Sequence, residues 1–176
     1  MTELVVRTAR TEDLPAVAMV RARTWQTAYA GQVDDAELRT LTDPEVIAAW
    51  AARAETMTST TYAVADLDGE VVGFAAYGAE RSDSPQPWRG EIYALYVLPD
   101  HWRSGAGSAL MHAALDELAE SGFDHVSLWV LVGNERAISF YRRHGFHETG
   151  EVQRDHRGLD DLRMARLLGP RGDLGP

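Results

Sequence analysis

EIYALYVLPDHWRSGAGSAL, residues 91–110, reads as a strand, a turn and a helix start in succession. Glu91 to Val97 are rich in aromatic, aliphatic and β-branched side chains, as a buried or half-buried strand requires. Pro99 and Asp100 stop that strand, because proline cannot donate to a ladder. A short loop with Gly105 and Gly107 then runs into an amphipathic helix, with Leu110, Ala114 and Leu118 in one row and Ser108, His112 and Asp116 in another. A strand, a glycine-bearing turn and a helix N-terminus together make an anion site: unpaired N–H groups point outward and the helix dipole favours negative charge. Residues 103–108 are therefore expected to hold a phosphorylated ligand.

Outward from this stretch, Leu4 to Thr8 reads as a first strand, and Thr11 as the cap of a helix that runs through Val17 and Val20 towards Trp25 and Tyr29 and ends at Gly31. Two shorter helices are expected at 34–41 and 44–54, the second with an apolar row of Val46, Ala49, Trp50 and the stem of Arg53. Strands follow at 61–65 and 71–77, joined by Asp68-Gly69, a strong tight-turn signal. Residues 79–90 read as a polar, proline-bearing loop. Beyond the organising helix, which Gly122 stops, Val126 to Val132 reads as a strand covered on both faces. Asn134 to His144 reads as a helix with Ala137, Phe140, Tyr141 and His144 on one side, capped by Gly145. Strands at 146–152 and 161–168 form a hairpin across Gly158, and the polar tail 169–176 is expected to be disordered. The order β, helices, βββ, α, β, α, ββ predicts a mixed α/β fold with a mostly antiparallel central sheet flanked by helices, in one domain over residues 1–168.

Composition narrows the function. The chain has 176 residues and 45% hydrophobic content, enough for a sizeable core. It has no cysteine, which excludes disulfides, thiolate nucleophiles and cysteine-ligated zinc. A formal net charge of −10 argues against general nucleic-acid binding and suits a cationic acceptor. There is neither a long apolar run nor a basic, then apolar N-terminal stretch, so no membrane contact and a cytoplasmic location are expected. His144 and His147 straddle a helix stop, none of the six histidines forms a zinc spacing, and no metal is expected.

Two motifs resemble the GCN5-related N-acetyltransferase (GNAT) superfamily. Trp102-Arg103-Ser104-Gly105-Ala106-Gly107 is similar to that family's acetyl-CoA pyrophosphate motif, with Trp102 in place of the usual Gln or Arg. Asn134-Glu135-Arg136-Ala137-Ile138-Ser139-Phe140-Tyr141-Arg142-Arg143-His144-Gly145-Phe146 matches the family pattern Asn-x-x-Ala-x-x-Phe-Tyr-x-x-x-Gly-Phe throughout. Trp25, Tyr29 and Gly31 also follow a frequent family variant, one not tied to a single substrate. The similarity covers roughly residues 3–168 and implies the acyl-CoA N-acyltransferase fold, with acetyl-CoA as cosubstrate and a small-molecule primary amine as acceptor. Dimerisation is common among relatives, so a homodimer is a further expectation.

The resemblance also implies site residues. Arg103, Ser104, Gly105, Ala106, Gly107 and Ser108 would bind the pyrophosphate, and the backbone of Leu95, Tyr96 and Val97 would pair with pantetheine like an added strand. Asn134 would contact the cofactor as well as cap its helix. Tyr141 would be the general acid towards the thiolate, its plain alternative being a core aromatic beside Phe140. An ammonium of pKa ~10.4 is neutral in only about one molecule in a few thousand at pH 7, so a base is needed. Glu91 is the candidate. Four strand residues separate it from the Leu95 amide expected to bind the acetyl oxygen, roughly 13 Å, so it would act through ordered water. Its plain alternative is a solvated carboxylate at a strand end. Trp25, Tyr29, Tyr77 and Trp88 are candidates for an acceptor pocket. Two other readings stay open: an N-terminal acetyltransferase of the ribosomal-protein type, whose catalytic Glu would stand where this chain has Trp129, and an acyl-CoA-binding sensor without turnover.

Overall fold

A computed structural model describes residues 3–155 and 158–168. Its elements are β1 (Leu4–Thr8), α1 (Leu14–Ala28), α2 (Asp35–Thr40), α3 (Pro44–Glu55), β2 (Thr60–Leu67), β3 (Glu70–Ala79), β4 (Arg89–Val97), α4 (Ala106–Glu120), β5 (His125–Leu131), α5 (Glu135–Arg143), β6 (His147–Arg154) and β7 (Asp160–Leu167). The strands form a seven-stranded sheet in the order β1-β2-β3-β4-β5-β7-β6. β1–β2, β5–β7 and β6–β7 pair antiparallel, while β4 and β5 run parallel. The expected mixed α/β fold with a mostly antiparallel sheet is the one observed. No helix among the described residues is long and apolar enough to cross a membrane. The tail expected at 169–176 lies outside the described residues.

Contacts group the chain into two compact units. One comprises the residues up to Ala76 together with Ala94–Ala114; the other comprises Tyr77–Tyr93 and the residues from Leu115 onward. In the first unit Val17 and Val20 of α1, Val64 of β2, Val72 and Phe74 of β3, and Leu110 and Met111 of α4 are almost wholly buried. A Cβ on Gly73 would come within 2.9 Å of the Tyr96 carbonyl and 3.2 Å of Leu110 Cδ1, so the bare glycine lets α4 and β4 lie close to β3. In the second unit Leu118, Val126, Leu128 and Met164 are buried. Gly90 plays the matching part there, with Leu118 Cδ2 at 3.0 Å from where its Cβ would be. The Leu110 and Leu118 row of α4 thus lies over a strand glycine in each unit.

Four local expectations need correction. Thr11 does not cap α1: residues Thr11–Asp13 form a short 3-10 turn and the helix begins at Leu14. Asp13 decides this, since its carboxylate accepts from the Arg10 N–H at 2.7 Å and from both terminal nitrogens of Arg7 at 2.6 and 2.9 Å, charge-assisted bonds that outweigh a threonine cap. On α3 the buried residues are Ala51 and Ala54, packed with Trp50 and Tyr62, while Val46 is exposed along with Ala49 and Arg53. In an alanine-rich helix small apolar residues lie all round, so the period alone does not choose the face. On α5 Ile138 joins Tyr141 as the buried residues, with Ala137, Phe140 and His144 only half-buried. Finally, the 79–90 loop is shorter than expected, and Glu80 within it is 6% exposed. The Asp68-Gly69 turn is as expected, with positive φ at both residues.

Gly73→Ala should destabilise the protein by about 1–3 kcal/mol, because the methyl meets backbone as well as side chain; urea denaturation midpoints measure it. The Arg7 guanidinium holds the Asp13 carboxyl below the usual range. That stabilisation is present above the unfolded carboxyl's pKa and lost as pH falls through the folded one. Asp13→Asn should therefore lower stability at neutral pH and flatten its decline below about pH 4, as followed by urea denaturation across pH.

Candidate functional site

In the first unit, β4 ends at a fixed corner. The Leu98 N–H donates to the Val72 carbonyl at 2.8 Å, which carries the β3 contact one residue past the strand. The Val97 carbonyl accepts from the Trp102 indole Nε1–H at 2.8 Å and from Thr24 Oγ1 at 3.4 Å. Trp102 thus ties the turn back to the strand it leaves, a role its place in the glycine motif does not announce. Of the expected strand residues, Leu95 and Tyr96 are half-buried and Val97 is buried.

The turn itself is left-handed at Arg103 and Gly105, with φ of 66° and 93°. α4 starts at Ala106, and its first bond from outside the helix runs from the Ala109 N–H to the Gly105 carbonyl at 3.0 Å. The Ala106 N–H donates to Ser104 Oγ at 3.3 Å. No acceptor among the described residues takes the N–H of Gly105, Gly107 or Ser108. Arg103, Ser104 and Gly105 are exposed. Residues 103–108 therefore present three unpaired amides and a guanidinium at one helix N-terminus, the donor set that suits a doubly charged anion.

In the second unit, Glu91 is 5% exposed, so the solvated alternative is set aside. One carboxylate oxygen accepts from the Arg81 backbone N–H at 2.8 Å, and the other lies 3.6 Å from Arg81 Nη2. The Arg81 guanidinium in turn lies over the Tyr93 ring, 3.6 Å from its centroid. Burial pushes the Glu91 carboxyl above its ordinary range, and the Arg81 N–H and charge oppose that rise without cancelling it. A carboxylate held this way is a stronger base than an exposed one. The β4–β5 register covers Arg89–Ile92 against His125–Leu128, so Glu91 stands opposite Ser127 and one pair short of the last.

Asn134 caps α5, its Oδ1 accepting from the Ala137 N–H at 3.2 Å, and its side-chain amino group finds no acceptor among the described residues. Tyr141 is buried, with Phe140 and Phe146 at ring-centroid distances of 5.5 and 6.0 Å. Among the aromatic candidates, Tyr77 is buried and donates its hydroxyl to Glu117 at 2.7 Å, Trp88 is 44% exposed, and Trp25 meets Tyr29 in a tilted contact with ring centroids 4.8 Å apart. The described residues contain no group of three or more His, Cys, Asp or Glu that could hold a metal ion. Sequence reasoning missed Trp102 as a tie, Arg81 as the partner of Glu91, and the pairing of buried Glu80 with half-buried Arg163.

Trp102→Phe keeps the ring and deletes the donor. It should lower stability by about 1 kcal/mol and speed amide exchange across residues 98–105, as read by hydrogen–deuterium exchange mass spectrometry.

Comparison with known proteins bears on the family and the fold. The profile of the acetyltransferase (GNAT) family matches residues 19–146. The chain is 31% identical over 148 residues to the uncharacterized N-acetyltransferase YuaI of Bacillus subtilis (strain 168), covering 84% of this chain and 83% of that protein. Among solved structures, a ribosomal-protein-alanine N-acetyltransferase from Brucella melitensis is similar with a TM-score of 0.72 and 27% identity, covering 93% of this chain and 99% of that one. The PaiA N-acetyltransferase from Thermoplasma acidophilum, in complex with coenzyme A, shares the fold with a TM-score of 0.71 and 20% identity, covering 94% of this chain and 99% of that one.

Proposed function

The chain belongs to the acetyltransferase (GNAT) family, and on that premise we propose that it transfers an acetyl group from acetyl-CoA directly to a primary amine of a small molecule. The observation that carries the reading is the turn at 103–108, whose unpaired amides of Gly105, Gly107 and Ser108 sit at the start of α4. These amides, with Arg103, Ser104 and Ala106 shaping the turn, would hold the pyrophosphate, and Asn134 would contact the cofactor through its side chain. Acetyl-CoA supplies the activated thioester; the protein supplies position and proton movement.

The Leu95 N–H would donate to the carbonyl oxygen as that oxygen gains charge. The backbone of Tyr96 and the N–H of Val97 would hold the pantetheine arm; the Val97 carbonyl already accepts from Trp102. Glu91 would accept the ammonium proton through ordered water, a task its raised pKa favours. Tyr141 would return a proton to the leaving sulfur.

Likeness to the Brucella enzyme favours a second reading, acetylation of a protein N-terminus. Against it, Trp129 occupies the β5 position where a catalytic carboxylate is expected, and Arg163 lies over that ring at 5.6 Å.

Thiol release from acetyl-CoA, measured with polyamines, amino acids, aminoglycosides and an N-terminal alanine peptide, separates the readings. Turnover with a small amine supports the first; turnover with the peptide alone supports the second; cofactor binding without release would leave a sensor. With the preferred acceptor, Glu91→Gln should reduce kcat/KM by about 100-fold or more. The wild-type rate should fall on the acid side at a pH above the ordinary carboxylate range, and the variant should lack that fall.

A further inference from the structure

Glu80 begins the polar turn after β3, yet it is 6% exposed and has no part in the reaction as proposed so far. Its N–H donates to the Arg89 carbonyl at 2.9 Å, so the backbone fixes its place. Its carboxylate accepts from Arg163 Nη2 and, at 3.5 Å, from Ser82 Oγ, and it lies 3.6 Å from Arg89 Nη1. Arg163 is itself shared: Nη1 donates to Glu151 at 2.9 Å and Nη2 to Ser127 Oγ at 3.3 Å.

Register places these groups beside Glu91. Glu91 stands opposite Ser127 on β5, and Trp129, two residues on, stands opposite Arg163 on β7. Paired residues, and residues two apart on a strand, project to the same face. Glu91, Ser127, Trp129 and Arg163 therefore share one face. The charged groups acting on Glu91 are Arg81, Glu80 and Arg163, with Arg89 and Glu151 acting through the latter two, while Tyr93 lies beneath Arg81. An Arg163 turned from Glu80 to Glu91 would hold Glu91 ionised and make it a poor proton acceptor.

We propose that Glu80 is a positioning residue for the transfer reaction: it keeps the Arg163 guanidinium engaged and so leaves Glu91 able to accept the ammonium proton. The inference rests on the assignment of Glu91 as the base, and its test separates the two. The acid limb of the kcat/KM profile is measured for wild type, Glu80→Gln, Arg163→Gln and Glu91→Gln, with circular dichroism to confirm folding.

Glu80→Gln should move the acid limb down by about 0.5–1 pH unit and lower the plateau several-fold. Arg163→Gln, which removes that cation and leaves Glu80 only the more distant Arg89, should move the limb up. Opposite shifts support the inference, and either shift alone does so if the other variant does not fold. A lowered plateau with the limb unmoved means that Glu80 is merely structural and overturns the inference while leaving Glu91 as base. A wild-type acid limb retained in Glu91→Gln removes the base assignment, and the inference with it.

Discussion

The parallel pairing of β4 with β5 is the constraint that organises this protein. Parallel neighbours cannot be joined by a tight turn; the chain must cross over and start again at the same end, and a helix is the usual means. α4 is that crossover. Because the crossover leaves from the carboxyl end of β4, the first amides of α4 open close in sequence to the strand's last residues. The corner at Val97, held by Trp102, Thr24 and the Leu98–Val72 bond, turns this topological necessity into a fixed geometry. The two close approaches at Gly73 and Gly90 follow from the same requirement, since α4 must lie near enough to bury Leu110 and Leu118.

Electrostatics supplies the second layer. The chain carries a net charge of −10, yet among the described residues the buried carboxylates are each matched by arginine: Asp13 by Arg7, Glu80 by Arg163, and Glu91 by Arg81. Burial without a partner would force such groups to neutralise. The matches differ in kind, and the proton affinities differ with them. Asp13 receives two guanidinium bonds and a backbone N–H, and its proton affinity falls. Glu91 receives one backbone N–H and a guanidinium only at 3.6 Å, so desolvation prevails and its proton affinity rises. Two buried acids of one chain are thus tuned in opposite directions by the quality of their cationic contacts.

Element identity was legible where side-chain period and turn chemistry agreed. β1 has the expected bounds, the Asp68-Gly69 turn joins its two strands, and Asn134 caps α5. The inward face of α3 was not legible, because alanine offers little contrast between its sides, and the start of α1 was not, because Asp13 found partners in Arg7 and Arg10. Of the candidate site, the glycine turn could be read because its left-handed backbone at Gly105 demands a particular residue type.

The amino-acid order alone determined the alternation of strands and helices, the glycine-bearing turn at 103–108 and the family pattern from Asn134 to Phe146. Those signals are local, since hydrophobic period, glycine spacing and helix caps act within a few residues. Only the tertiary structure decided that Glu91 is buried against Arg81, that Glu80 and Arg163 share its neighbourhood, and that an indole secures the end of β4. Proton affinity and hydrogen-bond partners depend on groups distant in sequence, and these meet only when the strands take up their register.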